Sequence, residues 1–535
     1  MRSLRSLPRL LPAVAAALLV GGIVASAGGA TGRQMATYAE ILSLIETRHV
    51  PEADPKKVIY ASIHGMLNTL DPHSNFLDDE AYREMREEQR GSFFGLGIVI
   101  SKRGRYQPLR VISPIANTPA ARLGVRAGDV ITHIRDERAG VDVDTLGLTV
   151  QEAVKYLRGP RGTDVTITVD RPGIDEPLRF TITRDAVRTP AVNQAFMIRP
   201  GVAYVHIANF TETTSSELDR ALARLRDEGA TRLVLDLSNN PGGLLEQAVG
   251  TASRFLEPDE LVVYTEGRLP GSRQDYLAMR DVPRVDWPMV VVVDAGSASA
   301  SEIVAGALQD HDRAILVGQR TFGKGLVQSV YPLSEGTALA LTTQKYYSPL
   351  GRTIQRPYAS EEEYFFEPRR ADREQRPEPG APEFRTPTGR VIYGGGGILP
   401  DIVTEPPSEP EAVLKLMRLS AFSRFVNPLP DDTREAYAAD PDRLLTDFRD
   451  FVAAEYPDIA QDELEAHRDE LLLQLRAELT LVSSGIEARD RVLLQHNPVI
   501  QRAIAALDQA EQLLAARRRA REQRRAAVDG QDNSR

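Results

Sequence analysis

Residues 289–328, MVVVVDAGSASASEIVAGALQDHDRAILVGQRTFGKGLVQ, constrain the fold more than any other stretch of the chain. Met289 to Val293 is an unbroken apolar run bounded by Asp294 and Gly296, the pattern of a strand buried on both faces. A helix is predicted to follow. Ser297, Ser299 and Ser301 offer N-cap oxygens, Glu302 suits the positive end of the dipole, and Ile303, Val304, Ala307 and Leu308 recur at helical spacing. One serine therefore stands where a strand ends and a helix begins. Such a corner presents a hydroxyl beside backbone N–H groups that no helical carbonyl can satisfy, which suits a nucleophile.

A serine hydroxyl is a weak nucleophile at neutral pH and needs a base. Residues 314–318 read as the next strand, and Thr321-Phe322-Gly323-Lys324-Gly325 follows it. A lysine between glycines and next to an aromatic can lose hydration. Desolvation lowers a lysine's pKa, and a neutral amine accepts a proton. If residues 326–331 continue as a strand, Lys324 and Gln328 share a face by period-two alternation, and Gln328 could hold the amine. The same residues also fit plainer roles: a helix cap and close packing for the serines, a solvated turn for Gly-Lys-Gly. Residues 318–324 match the first seven positions of the phosphate loop G-x-x-x-x-G-K. Gly325 then stands where magnesium needs a hydroxyl, and a β-branched stretch replaces the required helix. Nucleotide binding is excluded on that ground.

GSASASEIVAGALQD followed by TFGKGLVQ resembles the active-site signature of the C-terminal processing peptidases, also called tail-specific proteases. Further blocks resemble the family in order from residue 70 to about residue 404. The resemblance implies a nucleophile at Ser299, a general base at Lys324 and Gln328 orienting that base. It gives the turn Ser238-Asn239-Asn240-Pro241-Gly242-Gly243 one oxyanion donor, from Gly242 or Gly243, and the N–H of Ala300 the other. Loss of one such donor typically raises a barrier by about 2.7 to 4 kcal/mol. The implied fold is α/β and multidomain: an N-terminal helical region at 34–90, a PDZ-like β-rich domain at 91–187, an α/β core of ClpP/crotonase type at 188–404 and a C-terminal helical region at 405–535.

In the PDZ-like region, residues 91–98 and SPIANTPAARLGVRAGDVITHI are punctuated by Gly and Pro. Thr149-Val150-Gln151-Glu152 is a capping box opening a helix. By resemblance, a peptide adds to a sheet edge there, and its terminal carboxylate is held by the glycine loop Gly95, Leu96, Gly97 and Ile98. Phe94, Ile98 and Val154 would select an uncharged C-terminal side chain. Arg158 matches a family arginine that couples the peptide-loaded domain to the active site; a cation near a helix C-terminus is its plainer role.

Outside these blocks, residues 1–33 read as an export signal, with Arg2, Arg5 and Arg9, an apolar run and a small-residue cleavage pattern at Ala25-Ser26-Ala27. The protein is thus expected in the periplasm or cell envelope. Residues 10–27 are also long enough to remain as an inner-membrane anchor. Residues 38–89 show helical spacing, and Asp71-Pro72-His73-Ser74 within them reads as a structural block with His73 capping or packing. Residues 357–388, dense in Pro, Glu and Arg, depart from the family as a surface insertion that could fold over the cleft through Tyr364, Phe365 and Phe366, with mobility the simpler expectation. Residues 499–515 are amphipathic, and the basic run at 517–525 reads as a solvated tail.

The chain has 535 residues, no cysteine, eight scattered histidines and a net charge of −10. Thiol chemistry is excluded, a zinc site is not expected, and bulk electrostatics disfavour nucleic acid. No metal or cofactor is implied. The expected partners are proteins or peptides with apolar, unstructured C-termini. The resemblance leaves room for a homo-oligomer through the terminal helical regions and for an adaptor protein. Two other classes stay open from the residues alone: a Ser-His-Asp hydrolase using His311 or His206, and a noncatalytic scaffold that holds tails.

Overall fold

The computed structural model of the chain describes residues 30–532, apart from 103–104, 116, 127, 172–173, 175, 358–363, 365–376, 378–379 and 407. The export signal and anchor expected in residues 1–33 lie outside the described residues up to position 29, as do Phe365 and Phe366 of the insertion. Among the described residues no helix is long and apolar enough to cross a membrane.

Two compact units are distinguished. One comprises the described residues up to Asp79 with Gln328–Thr342; the other comprises Glu80–Val327 with the chain from Thr343 onward. In the first, helix Ala30–Arg48 is followed by Pro55–Leu67, which starts with Asp54 accepting from the Lys56 N–H and Pro55 in its first turn. A short strand, Asn75–Leu77, then pairs antiparallel with residues 338–340. The Asp71 carboxylate accepts from the N–H of His73 and Ser74 and from the hydroxyls of Ser74 and Thr342, all at 2.7–3.0 Å. Burial pushes this carboxyl up, but those hydrogen bonds prevail and hold it below the usual carboxylate range. Asp71-Pro72-His73-Ser74 is therefore a turn locked by its own aspartate.

In the second unit, a β-rich module comes first. Its sheet runs in the order Ile98–Ser101, Leu109–Pro114, Val130–Asp136, Asp164–Asp170, Leu178–Thr183, with Val141–Asp144 paired to Val130–Asp136. Leu109, Ile131, Ile134, Ile167 and Ile182 alternate inward with polar neighbours outward, and the helix Val150–Leu157 buries Ala153 and Leu157 against them. Thr149 and Glu152 form the reciprocal capping box at its start. Ile98–Ser101 is an edge strand. Arg184, buried, pairs with Asp136 at 2.8 Å and donates to the Tyr156 and Leu157 carbonyls, so the far end of that helix is tied to the sheet.

The core that follows is a six-stranded sheet in the order Val192–Arg199, Val202–Ile207, Arg232–Asp236, Met289–Val293, Ile315–Gly318, Ile402–Val403. Every pairing after the first is parallel. The central strands Met289–Val293 and Ile315–Gly318 read as unbroken apolar runs because both faces are covered. Helices Thr214–Asp227, Leu245–Ser253 and Ala300–Asp310 pack on one face around Leu218, Leu233, Val291 and Val304. On the other, Val499, Ile500, Ala503, Leu507 and Ala510 of helices Pro498–Ala505 and Leu507–Asp532 meet Tyr204, Val234, Val290 and Val317. A separate helical cluster between them in sequence, around Leu416, Phe422, Phe448 and Leu475, carries its own core.

The basic run at 517–525 departs in part from the solvated tail expected of it, since Arg518, Arg519 and Arg524 are exposed while others are paired. Arg517 is buried and paired with Glu260, Arg521 pairs with Glu257 at 2.9 Å, and Arg518 lies 3.8 Å from Asp286. The cations have acidic partners on the core surface that no local reading of the tail could supply. The insertion also differs from a wholly mobile segment at two places: Tyr364 is fully buried, and Glu383–Arg385 pairs with Val391–Tyr393.

Candidate active site

The strand Met289–Val293 lies between two parallel neighbours and is buried throughout, so its carboxyl end is held firmly. Such an end, in an open α/β sheet, is where ligands bind. At Asp294 the chain turns. Asp294 Oδ1 accepts from the N–H of Asn239 and Gly296, stitching this strand end to its neighbour's. Ser297 donates to the Leu237 carbonyl at 2.7 Å, and Ser301 donates to the Asn240 carbonyl at 2.9 Å; both are fully buried. Two of the three candidate serines are thus structural. Ser299 is half-buried, sits at the N-cap of Ala300–Asp310, and has φ 54° and ψ −111°. A non-glycine residue there carries strain of about 1–3 kcal/mol, held only because its surroundings over-determine it.

Glu302 supplies much of that constraint. Its carboxylate is fully buried and takes four donors: Oε1 from the Thr321 hydroxyl at 2.6 Å and the Gly323 N–H at 2.8 Å, Oε2 from the N–H of Lys324 at 2.9 Å and of Ser299 at 2.8 Å. One oxygen therefore joins the main chain of Ser299 to that of Lys324. Burial pushes this carboxyl up to about 7, against the pull of its four donors. With four donors and no acceptor around it, the hydrogen-bond geometry favours the ionised form. In the sequence Glu302 signals only a residue favoured at a helix start. Its remaining partners lie about twenty positions away, and nothing local in the chain announces them.

Lys324 is half-buried and precedes the strand Leu326–Pro332 by two residues, so period-two alternation does not extend to it. The Tyr346 hydroxyl donates to the Lys324 carbonyl and is hydrogen-bonded to the Ser299 side chain, so the tyrosine oxygen is left to accept from the serine. Burial pushes this phenol well above its ordinary value, which keeps it neutral. Gln328 lies on the strand, and its side-chain amide donates to the His73 carbonyl.

The turn at residues 240–243 runs against the serine. A Cβ on Gly242, whose φ is +102°, would lie 2.8 Å from Ser299 Cβ and 2.9 Å from the Ala300 nitrogen. Gly243, at φ +141°, would strike the Phe210 carbonyl at 2.1 Å. Only glycine fits either place. Of the two expected donors in this turn, Gly242 is already engaged: its N–H donates to Asn240 Oδ1 at 2.9 Å. Among the described residues the N–H groups of Gly243 and Ala300 meet no acceptor.

In the β-rich module, Gly95 ends the strand Ser92–Gly95 and Ile98 opens the edge strand. Leu96 and Gly97 turn between them through carbonyls that accept from the N–H groups of Ala120 and Ile115, and among the described residues their own N–H groups meet no acceptor. Phe94, Ile98 and Val154 are half-buried. Arg158 caps the helix end, and its guanidinium lies 4.2 Å from the Phe93 ring centroid. The two histidines considered as bases are engaged elsewhere. His206 contacts the Asn193 side chain and the Ser238 carbonyl, and His311 sits at the far end of the unbroken helix from Ser299, on the Leu261 carbonyl.

The family profile described as peptidase family S41 matches residues 201–360, and that described as a PDZ domain matches residues 110–171. The carboxy-terminal-processing protease of Bartonella bacilliformis is 41% identical over 329 residues, which cover 61% of this chain and 73% of that protein. The chain belongs to the carboxy-terminal-processing proteases of peptidase family S41. The Synechocystis carboxyl-terminal-processing protease is 39% identical over 294 residues, 54% of this chain and 67% of that one. A solved photosystem II D1 C-terminal processing protease aligns over 71% of this chain and 90% of its own at 27% identity and a TM-score of 0.37. This protease is a serine-type peptidase with a PDZ domain, acting on peptides or proteins.

Proposed function

We propose that this protease is exported, holds the C-terminal tails of unfolded proteins in its PDZ domain, and cuts them with Ser299 as nucleophile and Lys324 as base. The observation that carries this reading is the shared carboxylate oxygen: the Ser299 and Lys324 N–H groups converge on Glu302 Oε2, which fixes the corner beside the lysine loop. Lys324, as free amine, takes the Ser299 proton while the serine oxygen attacks the scissile carbonyl. The oxyanion is received by the N–H groups of Gly243 and Ala300, since that of Gly242 already has an acceptor. The resulting ammonium returns its proton to the departing amine, an acyl-enzyme forms, and water releases it by the reverse sequence. Gln328 orients the amine on the family pattern alone.

The tail's terminal carboxylate is received by Leu96 and Gly97 with its strand added beside Ile98–Ser101, and Phe94, Ile98 and Val154 favour an apolar last residue. Residues 1–33 direct the chain to the periplasm or cell envelope. Helix Ala30–Arg48 leaves Met35, Ile41 and Leu44 about half exposed, which supports a homo-oligomer formed through that face. The test is cleavage of an unfolded protein ending in an apolar residue. Ser299→Ala and Lys324→Ala are each expected to abolish it with the circular dichroism spectrum unchanged, and turnover by either variant removes the dyad. His311→Ala is expected to cleave normally.

A further inference from the structure

The loop carrying Lys324 is bonded on nearly every peptide group. Gly323 and Lys324 donate to Glu302, Gly325 donates to Gln355 Oε1 at 2.9 Å, and the Gly323 carbonyl accepts from the Arg356 N–H at 2.9 Å. The Lys324 carbonyl accepts from the Tyr346 hydroxyl and the Gly325 carbonyl from the Tyr346 N–H. Phe322, just before the loop, donates its N–H to the Ser297 carbonyl at 3.0 Å, so the lysine loop and the serine corner are joined there too.

Among the described residues, one side chain reaches this assembly from the stretch that departs from the family pattern. Tyr364 is fully buried, in a segment whose composition is otherwise that of a solvated surface. Its ring meets Phe322 edge-on, with centroids 5.2 Å apart and planes at 85°. The Arg356 guanidinium stands 5.1 Å from both ring centroids and donates to the Tyr364 carbonyl. Gln355 Nε2 lies 3.5 Å from the Tyr364 hydroxyl while the oxygen of the same amide holds Gly325. Both residues that clamp the lysine loop from this side, Gln355 and Arg356, thus take their own placement in part from Tyr364.

We propose that Tyr364 is a positioning residue for Lys324: through Phe322 and Arg356 its ring fixes the loop from which the amine reaches the serine. This rests on the reading of Lys324 as the base. A group held to a reactive geometry by packing loses rate steeply when it moves, and a displacement of about 1 Å can cost about a hundredfold. The contacts described for Tyr364 run to Phe322, Gln355 and Arg356, on the loop side of the lysine, so its loss acts on turnover and leaves tail binding to the PDZ domain intact.

The test uses the full chain and an unfolded substrate with an apolar C-terminus. Tyr364→Ala is expected to lower kcat about tenfold with KM within about twofold of wild type, while Tyr364→Phe, which keeps the edge contact and the stack on Arg356, recovers kcat to within about twofold. Arg356→Lys keeps the charge without the planar stack and is expected to lower kcat about threefold. A wild-type kcat in Tyr364→Ala overturns the proposal, whatever happens to its melting temperature, and so do equal losses in the Ala and Phe variants. Should Tyr364→Ala fail to fold, Arg356→Lys decides, and an unchanged kcat there overturns it. Lys324→Ala reports separately. Turnover by that variant removes the base itself, whereas an inactive Lys324→Ala beside an unaffected Tyr364→Ala removes only the role of Tyr364.

Discussion

The turn at residues 240–243 and the turn at residues 95–98 both follow a strand, both contain glycine at positive φ, and both leave main-chain N–H groups without an acceptor among the described residues. Their surroundings differ. The first abuts a strained serine at the centre of a parallel sheet, with Ser297, Ser301, Asp294 and Asn240 all bonded across adjacent strand ends. The second opens the edge strand of a small antiparallel module whose walls, Phe94, Ile98 and Val154, are only half-buried. Charge that exists for an instant requires donors fixed in advance, because reorganisation would consume the gain. A peptide carboxylate is a stable ligand and tolerates a looser cradle.

The sharpest way to break this comparison is to put a methyl group in each turn. At Gly243 it would meet the main-chain carbonyl of Phe210 at 2.1 Å, at a φ that L-residues avoid. Gly243→Ala is therefore expected to lower kcat/KM about a hundred- to a thousandfold on an unfolded protein substrate, since the donor must move and one donor alone is worth about 2.7 to 4 kcal/mol. A variant within tenfold of wild type would show that the turn is not part of an oxyanion site. At Gly97, the obstacle is the Thr118 side chain at 2.2 Å, whose hydroxyl donates to the Gly97 carbonyl. That side chain can be trimmed. The expected consequence there is smaller.

Glu302→Gln replaces one of two acceptor oxygens by an NH2 group that faces donors whichever way it turns. The variant is expected to lose about a hundredfold in kcat, as repulsion releases either the Ser299 and Lys324 N–H pair or the Thr321 and Gly323 pair. The pH dependence has a definite sign. Because burial lifts the folded carboxyl to about 7, above its ordinary value of 4.5, the folded state binds the extra proton between those values. The stability this contributes is complete below the unfolded pKa and is lost as pH rises through about 7, by about 3 kcal/mol at most. Activity should move the other way, rising over the same interval as the ionised carboxylate gathers its four donors. Urea denaturation and kcat, each from pH 5 to 8, measure the two. A wild-type stability profile parallel to that of Glu302→Gln would exclude Glu302 as the titrating group.

Much of the rigid region is legible in the sequence, and little of what braces it. The strand Met289–Val293 and the helix after it are fixed by an apolar run, small residues and capping serines, all local signals. The structural roles of the two flanking serines are not local: Ser297 and Ser301 are bonded to Leu237 and Asn240, about sixty positions earlier. The helix Leu245–Ser253 is buried on most sides, so it shows no polar face to set its limits. Arg517 and Arg521 read as a free basic tail because Glu260 and Glu257 are far away in the chain. Tyr364 looks like a surface residue by its neighbours and is buried by partners at 322 and 356. In the last two cases the signal in the chain is local and the partner that overrides it is not.

In the looser region the expected effects are smaller. Gly97→Ala should raise KM for tailed substrates about tenfold, with kcat at saturation within about twofold, because the loop must shift away from the Thr118 Cβ, 2.2 Å from the added methyl, and the bond from the Thr118 hydroxyl to the Gly97 carbonyl is lost. Thr118→Ser in the same chain removes one obstructing methyl and should recover part of the affinity. A fall in kcat with KM unchanged would place the loop in the chemistry and erase the contrast between the two turns.

Arg158 tests how far the looser region informs the rigid one. Its guanidinium stacks on Phe93 beside the glycine loop, and a Cβ on Gly95 would lie 3.7 Å from the Arg158 side chain. Arg158→Lys keeps a cation at the helix C-terminus and gives up the planar stack, a loss of about 0.5–1 kcal/mol, or about two- to fivefold. If Arg158 only caps the helix, the variant matches wild type in every assay. If the stack reports tail occupancy to the core, the peptide Kd, read by fluorescence anisotropy, stays within about twofold while cleavage of a tailed substrate drops. A tailless substrate of the same sequence should then be cut at the wild-type rate, since binding and chemistry are each intact and only their coupling has been weakened.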